Sequence, residues 1–310
     1  MLKLKPHALR RGDRIAVIAP ASWPDREKTL KAFQFLKARG LEVVYGEALA
    51  RQYGYLAGTD QERVEELHQA FADPDIKAVF CVCGGYGTAR IAAHINYELI
   101  QAHPKIFWGY SDITFLLNAI YQRTGLVTFH GPMLSSDLGL EDVHPLTQET
   151  FEQLFAPTTL CYTNALQALE TIVPGKAEGP LVGGNLSLLV STLGTPFEID
   201  TRNKILFIEE VDEEPYRIDR MLNQLKMAGK LEQAAGIVLC DFHNCQPVKR
   251  KQSLTLDQIF KDHIAPLQKP TLSGFKIGHC SPNLAVPIGV MASMDTHKQA
   301  LVIQEPGVSD

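Results

Sequence analysis

The 310-residue chain is poor in several things that would have assigned it quickly. It has six cysteines, Cys81, Cys83, Cys161, Cys240, Cys245 and Cys280, and none forms a CxxC pair. That spacing argues against a structural zinc and favours reduced, mostly buried thiols. No excess of positive charge exists: the net charge is −5, so nothing draws the chain to nucleic acid or to an anionic membrane. Its one Lys/Arg-rich run, Lys249-Arg250-Lys251, reads as a solvated loop. No apolar stretch approaches the length of a membrane span. The basic N-terminus, MLKLKPHALRRGDR, lacks the apolar core of a signal peptide, which makes a cytoplasmic location the expectation. There is no internal repeat, no low-complexity tract and no GxGxxG.

What is present is a soluble globular composition, 45% hydrophobic and 21% charged, long enough for two domains. From Arg14 to Phe129 strand and helix patterns alternate five times. RIAVIA (14–19) reads as a buried strand, and a helix from Pro24 to about Arg39 follows, stopped by Gly40. Leu41–Tyr45 is a second strand. Thr59-Asp60-Gln61-Glu62 is a capping box for a helix through Phe71. Ala78–Cys83 is a third strand, ending in Gly84-Gly85-Tyr86-Gly87, after which Thr88 or Ala89 starts another helix. Such alternation predicts a parallel sheet covered on both faces, with ligands at the carboxyl ends of its strands. Residues 139–176 lose the pattern and carry Pro145, Pro157, Pro174 and Gly175, as a crossing region would. The expected division is 1–140, a connecting 141–176, and 177–310. The last part mixes strands with few helices, and suggests a smaller α+β unit.

The stretch KIFWGYSDITFLLNAIYQRTGLVTF (105–129) concentrates the chemistry. An apolar run turns through Gly109-Tyr110-Ser111-Asp112. A helical pattern follows, with Ile113, Leu116, Leu117 and Ile120 on one face and Gly125 as its stop. Strand, tight turn and helix with Ser at the turn is the layout of a nucleophile elbow. Ser-Asp before an apolar helix is equally an N-cap, and the second Gly of the usual elbow is here Ile113. The Gly84–Gly87 loop is open to three readings: oxyanion donors, a phosphate cradle, or a plain tight turn. Of ten histidines, His130 and His279 stand beside Gly at strand ends, whereas His68, His94, His103, His144, His263 and His297 read as surface residues. Glu209 and Glu210 end the strand ILFIEEV and should point to opposite faces, one inward and one to solvent. Cys83, read as lying within a strand, is a poor elbow nucleophile for a cysteine amidotransferase.

Taken together, the order and spacing of these pieces resemble the LD-carboxypeptidase family of serine peptidases. The carriers are Gly12-Asp13 with Ala19-Pro20-Ala21; Ala57-Gly58-Thr59 with Arg63; Gly84–Gly87; Gly109–Asp112; His130-Gly131-Pro132; Gly183-Gly184-Asn185-Leu186; Glu209–Asp212 followed by Pro215–Arg220; and Gly278-His279. The resemblance implies a flavodoxin-like N-terminal sheet sandwiched by helices and a smaller C-terminal swivelling α+β domain, often in a homodimer. It implies Ser111 as nucleophile, His279 as base and Glu209 as its orienting partner, with the cleft between the two domains. Backbone N–H groups of Asp112 and Gly85 would serve the oxyanion. No metal or cofactor is implied.

The substrate it implies is a murein tetrapeptide losing its terminal D-alanine during cell-wall recycling. Arg217 and Arg220 are candidates by position for reading the terminal carboxylate, or else for anchoring the interdomain surface. Related enzymes of microcin-immunity type cleave peptidyl or aminoacyl adenylates and carry extra loops and an aromatic platform. This chain is compact, and Trp23 and Trp108 are its only tryptophans. A non-catalytic muropeptide-binding protein on the same scaffold is the third reading, and the presence of Ser111, Glu209 and His279 argues against it.

Overall fold

The computed structural model describes residues 2–249 and 252–310. Lys249 is exposed, while Arg250 and Lys251 of the basic run lie outside the described residues. The chain forms two compact units. One takes the chain through Thr158 together with Pro282–Gly289 and Pro306–Asp310; the other takes Thr159–Ser281 and Val290–Glu305.

The first unit is built on β1 (Arg14–Ile18), β2 (Glu42–Tyr45), β3 (Ile76–Cys81), β4 (Ile106–Gly109) and β5 (Thr128–His130). They pair in parallel in the order β2-β1-β3-β4-β5, the flavodoxin-like order. A late strand, β12 (Val286–Ile288), adds antiparallel to β5. The connecting helices are α1 (Arg26–Ala38), α2 (Asp60–Ala72), α3 (Thr88–Ile91), α4 (Tyr97–Ala102) and α5 (Thr114–Thr124), with α6 (Pro145–Glu149) beyond the sheet. The strands are apolar along almost their whole length because helices cover both faces of the sheet. Trp108 shows why the centre tolerates an indole: its ring stacks on Phe129, and its Nε1 donates to Pro132 O at 2.7 Å. Gly131 leaves that ring its place, since a Cβ there would lie 2.4 Å from the indole.

The second unit holds an eight-stranded mixed sheet. Its parallel centre is β8 (Lys176–Asn185), β9 (Ile205–Val211), β10 (Gly236–His243) and β11 (Thr271–Ser273). On one flank β7 (Glu170–Val173) runs antiparallel to β11. On the other, β13 (Met291–Asp295), β14 (Ala300–Ile303) and β6 (Leu160–Thr163) follow β8 in antiparallel succession. Helices α7 (Leu186–Ser191), α8 (Pro215–Met227), α9 (Lys230–Gln233) and α10 (Leu256–His263) make the connections. The segment without pattern, 139–176, therefore carries α6 and the edge strands β6 and β7. The partner of β7 lies about 100 residues downstream and that of β6 about 140, so no local signal marks them.

Three local expectations need correcting. β3 ends at Cys81, so Cys83 lies beyond the strand and not within it. His263 is not a surface residue. It is half-buried, and its Nε2 meets Asp219 Oδ1 at 2.7 Å, joining α10 to α8. His68 is half-buried too, and its Nε2 accepts from Asn96 N–H at 2.9 Å.

The capping box forms as expected. Thr59 Oγ1 accepts from Glu62 N–H, and Glu62 Oε2 accepts from Thr59 N–H at 2.7 Å. Thr59→Ala removes one half of that exchange. It should cost roughly 1 kcal/mol of stability in chemical denaturation of the whole chain, and no change in the denaturation midpoint would show that α2 is held by its packing alone.

Candidate active site

Ser111 lies in the first unit, at the carboxyl ends of β1, β3 and β4. Tyr110 leaves β4 extended, and Ser111 then turns to φ +61°, the left-handed region that a non-glycine residue enters at a cost. One 3₁₀ turn, Ser111–Ile113, leads into α5, which ends where Gly125 adopts φ +77°. Ser111 is therefore not an N-cap in extended conformation; it is the strained turn residue of an elbow. Its neighbour Asp112 is buried. Asp112 Oδ2 accepts from Thr88 N–H at 2.9 Å, and Thr88 Oγ1 donates to Asp112 O at 2.6 Å. Burial raises the Asp112 carboxyl above the usual range, opposed by the bonds from Thr88 and Gly87 and by the Arg63 charge.

The glycine loop fits against this turn. A Cβ on Gly84 would stand 2.8 Å from Ser111 Cβ, 2.9 Å from Ser111 Oγ and 3.2 Å from Asp112 N, so only glycine leaves the hydroxyl its space. Gly85 has φ +100° and lies against Ser22, whose Oγ a Cβ would approach to 2.4 Å. Ser22 is a residue that motif reasoning missed. Its N–H donates to Gly84 O at 3.2 Å, its Oγ accepts from Tyr86 N–H at 3.2 Å, and its carbonyl accepts from Cys83 Sγ at 3.2 Å. The signal available was its position, directly after Ala19-Pro20-Ala21 at a strand end. The Cys83 thiol is pushed up to about 12 by burial and by the nearby Asp112 charge, which leaves it protonated and unsuited to attack.

Glu209 and His279 lie in the second unit. Glu209, on β9, is fully buried, and its Oε2 accepts from His279 Nδ1 at 2.7 Å. An ionised carboxylate can only accept, so Nδ1 carries the proton and Nε2 is the basic nitrogen of the ring. Glu209 Oε1 is buried with no hydrogen-bond partner among the described residues. Gly278 has φ +109°, and a Cβ on it would sit 2.5 Å from Glu209 Oε2. The Gly-His pair is thus a packing requirement: the glycine lets the backbone pass over the carboxylate that its neighbour's ring meets.

Glu210 corrects the expectation that one of the two glutamates faces solvent. Both are buried. Glu210 Oε1 accepts from Asn185 Nδ2 (2.8 Å) and Val211 N–H (2.9 Å), and its Oε2 from Ser187 N–H (2.8 Å) and Ser187 Oγ (2.6 Å). Burial raises its carboxyl, opposed by those donors and reinforced by the charge of Glu209. It therefore anchors the start of α7, as a carboxylate does at a helix N-terminus.

His130 is buried on β5, its ring edge-on to Tyr110 at 5.6 Å. On α8, Arg217 is engaged by Glu213 Oε2 (3.1 Å) and by the Tyr216 hydroxyl (3.2 Å), whereas Arg220 is exposed. No cluster that could hold a metal ion occurs among the described residues.

Gly278→Ala should force the Glu209 carboxylate off His279. The downfield proton resonance of a carboxylate-bound imidazole N–H, expected for His279 in the wild type, should shift or vanish in the folded variant; an unchanged resonance would show that the backbone can give way instead.

Residues 15–131 match the LD-carboxypeptidase N-terminal domain and residues 178–294 the LD-carboxypeptidase C-terminal domain. A Bacillus subtilis protein named "Probable murein peptide carboxypeptidase" is 63% identical over 100% of this chain and 97% of its own. The murein tetrapeptide carboxypeptidase of Pseudomonas aeruginosa is 32% identical over 92% of this chain and 94% of its own. Among solved structures, MccF in complex with glutamyl sulfamoyl guanosine superposes with a TM-score of 0.90 at 26% identity, covering 99% of this chain and 100% of that one. With both family domains present in order, and with a relative of this identity along its whole length, the chain is a hydrolase belonging to the LD-carboxypeptidase family.

Proposed function

We propose that the chain is a serine carboxypeptidase that removes the terminal D-alanine of murein tetrapeptides, cutting the bond that follows the L-centre of the diamino acid. The observation that carries this reading is the left-handed backbone of Ser111 at the end of β4, joined to the 63% identity with the Bacillus subtilis protein named "Probable murein peptide carboxypeptidase". In this reading the N-terminal portion, 1–140, supplies the nucleophile, and the C-terminal portion, 177–310, supplies its base, with 141–176 connecting them.

The chemistry assigns one task to each group. His279 Nε2 takes the proton from Ser111 Oγ as the oxygen attacks the scissile carbonyl. Glu209 keeps the ring in the tautomer that makes Nε2 the base, and stabilises the imidazolium that forms. Gly85 and Asp112 N–H groups donate to the oxyanion of the tetrahedral intermediate. On its collapse His279 returns the proton to the amine of the departing D-alanine. Water then hydrolyses the ester on Ser111, with His279 again as base.

The free carboxylate of the substrate calls for a cation, and the reading gives that task to Arg217 or Arg220 on α8. Arg217 is already oriented by Glu213 and Tyr216. No metal or cofactor enters any step. The same reading makes the protein a cytoplasmic homodimer that binds neither nucleic acid nor membrane. The net charge of −5 supports the part concerning nucleic acid and anionic lipid; no helix among the described residues is long and apolar enough to cross a membrane.

The adenylate-cleaving reading draws on the likeness to MccF. A base-stacking platform would need an exposed aromatic ring. Trp108 is spent in the core, and Trp23, whose Nε1 donates to Gly54 O, is the exposed tryptophan. Rates on a muropeptide and on an acyl-sulfamoyl adenylate separate the two readings; faster cleavage of the adenylate overturns the murein assignment.

Ser111→Ala and His279→Ala should each lower kcat on a murein tetrapeptide by at least roughly a thousandfold, and the double variant should do little worse than either, as groups acting as a unit do. Undiminished turnover in Ser111→Ala would remove that hydroxyl from the reaction.

A further inference from the structure

Arg63 is a fully buried guanidinium in the first unit with no part yet in the chemistry. A buried charge is costly unless paired and hydrogen-bonded, and its partners are specific. Nη1 donates to Pro20 O at 2.5 Å and to Gly87 O at 2.9 Å, and Nη2 meets Asp60 Oδ1 at 2.5 Å. Asp60 is held from the outside by Arg90, through Nε at 2.9 Å and Nη2 at 2.8 Å. Gly87 has no side chain because one would stand 2.7 Å from Arg63 Nη1. One planar group therefore spans the loop after β1 and the loop after β3.

The second of those loops packs against Ser111 through Gly84, and the first is bonded to the second through Ser22. Pro20 belongs to the loop bearing Ser22, and Gly87 closes the loop bearing Gly84 and Gly85. Ser22 fixes both peptide groups around Gly85, binding Gly84 O on one side and Tyr86 N–H on the other. In a trans peptide the N–H points opposite the C=O. Gly84 O turned toward Ser22 thus turns the Gly85 N–H away from it. Arg63 bridges the same two loops at the Pro20 and Gly87 carbonyls. A lysine offers a single nitrogen and could not hold both carbonyls and Asp60 in one plane.

We infer that Arg63 is a positioning residue for the hydrolysis, whose buried guanidinium ties the Pro20–Ser22 loop to the Gly84–Gly87 loop and so aims the Gly85 N–H at the oxyanion. The inference rests on the reading of Ser111 as nucleophile. A donor that acts on a charge present only in the transition state contributes to kcat and leaves KM nearly alone. A purely structural staple would lower stability and spare the turnover of whatever protein stays folded.

The experiment compares wild type, Arg63→Lys and Asp60→Asn below their unfolding temperatures. It measures kcat and KM on a murein tetrapeptide and the rate at which a serine-reactive phosphonate labels Ser111. Arg63→Lys should lose roughly 10²-fold in kcat, the scale of one misdirected oxyanion donor. KM should stay within a factor of about 3, and labelling should slow in parallel, because displacement at phosphorus expels its leaving group through a five-coordinate arrangement whose phosphoryl oxygen carries charge where the oxyanion would form. Asp60→Asn leaves the guanidinium in place but loosens it, and should lose several-fold in both rates. A folded Arg63→Lys with wild-type kcat and labelling, or with its loss confined to KM or Tm, overturns the inference. Should Arg63→Lys not fold, an Asp60→Asn enzyme with unaltered kcat overturns it. Failure of the underlying reading shows separately, in wild type that takes no label at Ser111, and this assignment then falls with it.

Discussion

One strained residue organises the first unit. Ser111 holds a left-handed backbone with an ordinary side chain, at a cost of about 1–2 kcal/mol relative to the extended or helical regions. The fold holds it there from several sides. Gly109 before it packs closely under Cys81 and Ile113, where a Cβ would stand 3.0 and 3.1 Å from their side chains. Gly84 gives up its side chain so that the hydroxyl has a place. Asp112 after it is tied through side chain and carbonyl to Thr88 at the start of α3. The parallel order of β1, β3 and β4 brings these loops to a single edge, so a turn, a glycine loop and a helix start constrain one another. The proposed role of Ser111 as nucleophile gives that strain a use.

The second unit works by the opposite device, burial in place of strain. Two adjacent glutamates are taken out of water and given different company. Glu210 receives four donors and fastens the beginning of α7. Among the described residues, the ring of His279 is the one hydrogen-bond partner that reaches the Glu209 oxygens. A carboxylate with one polar partner in a buried place interacts with that partner strongly, because no solvent competes. The conformation of Gly278 makes the arrangement possible, and explains why a glycine stands before the histidine.

Much of this was legible in the sequence, for identifiable reasons. The alternation of five strands with helices, the capping box at Thr59 and Glu62, and the stop at Gly125 are local signals, and each became a local structure. The strand Ile205–Val211 is found with the bounds its apolar run suggested. The Ser111 turn could be read as an elbow or as a cap, and the backbone angle decides between them. What escaped notice depends on partners distant in sequence. Glu210 looks solvent-facing until Asn185 and Ser187 are brought to it. β6 and β7 are invisible without β14 and β11. The carbonyl-bridging role of Arg63, and the place of Ser22 between two loops, involve backbone groups that no residue pattern encodes. His263 was misjudged because a polar helix end reads as surface until Asp219 is seen across from it.

The proposed mechanism requires the Ser111 oxygen to become covalently bonded to the substrate. Acid quenching of the enzyme during turnover of a murein tetrapeptide, followed by mass spectrometry of its digested peptides, tests this directly. The peptide containing Ser111 should carry an ester-linked acyl group equal to the substrate less its terminal D-alanine, and the adduct should be missing from Ser111→Ala. Steady release of D-alanine by an enzyme that carries no acyl group at any quench time, and that keeps its rate when Ser111 is replaced, would contradict the account.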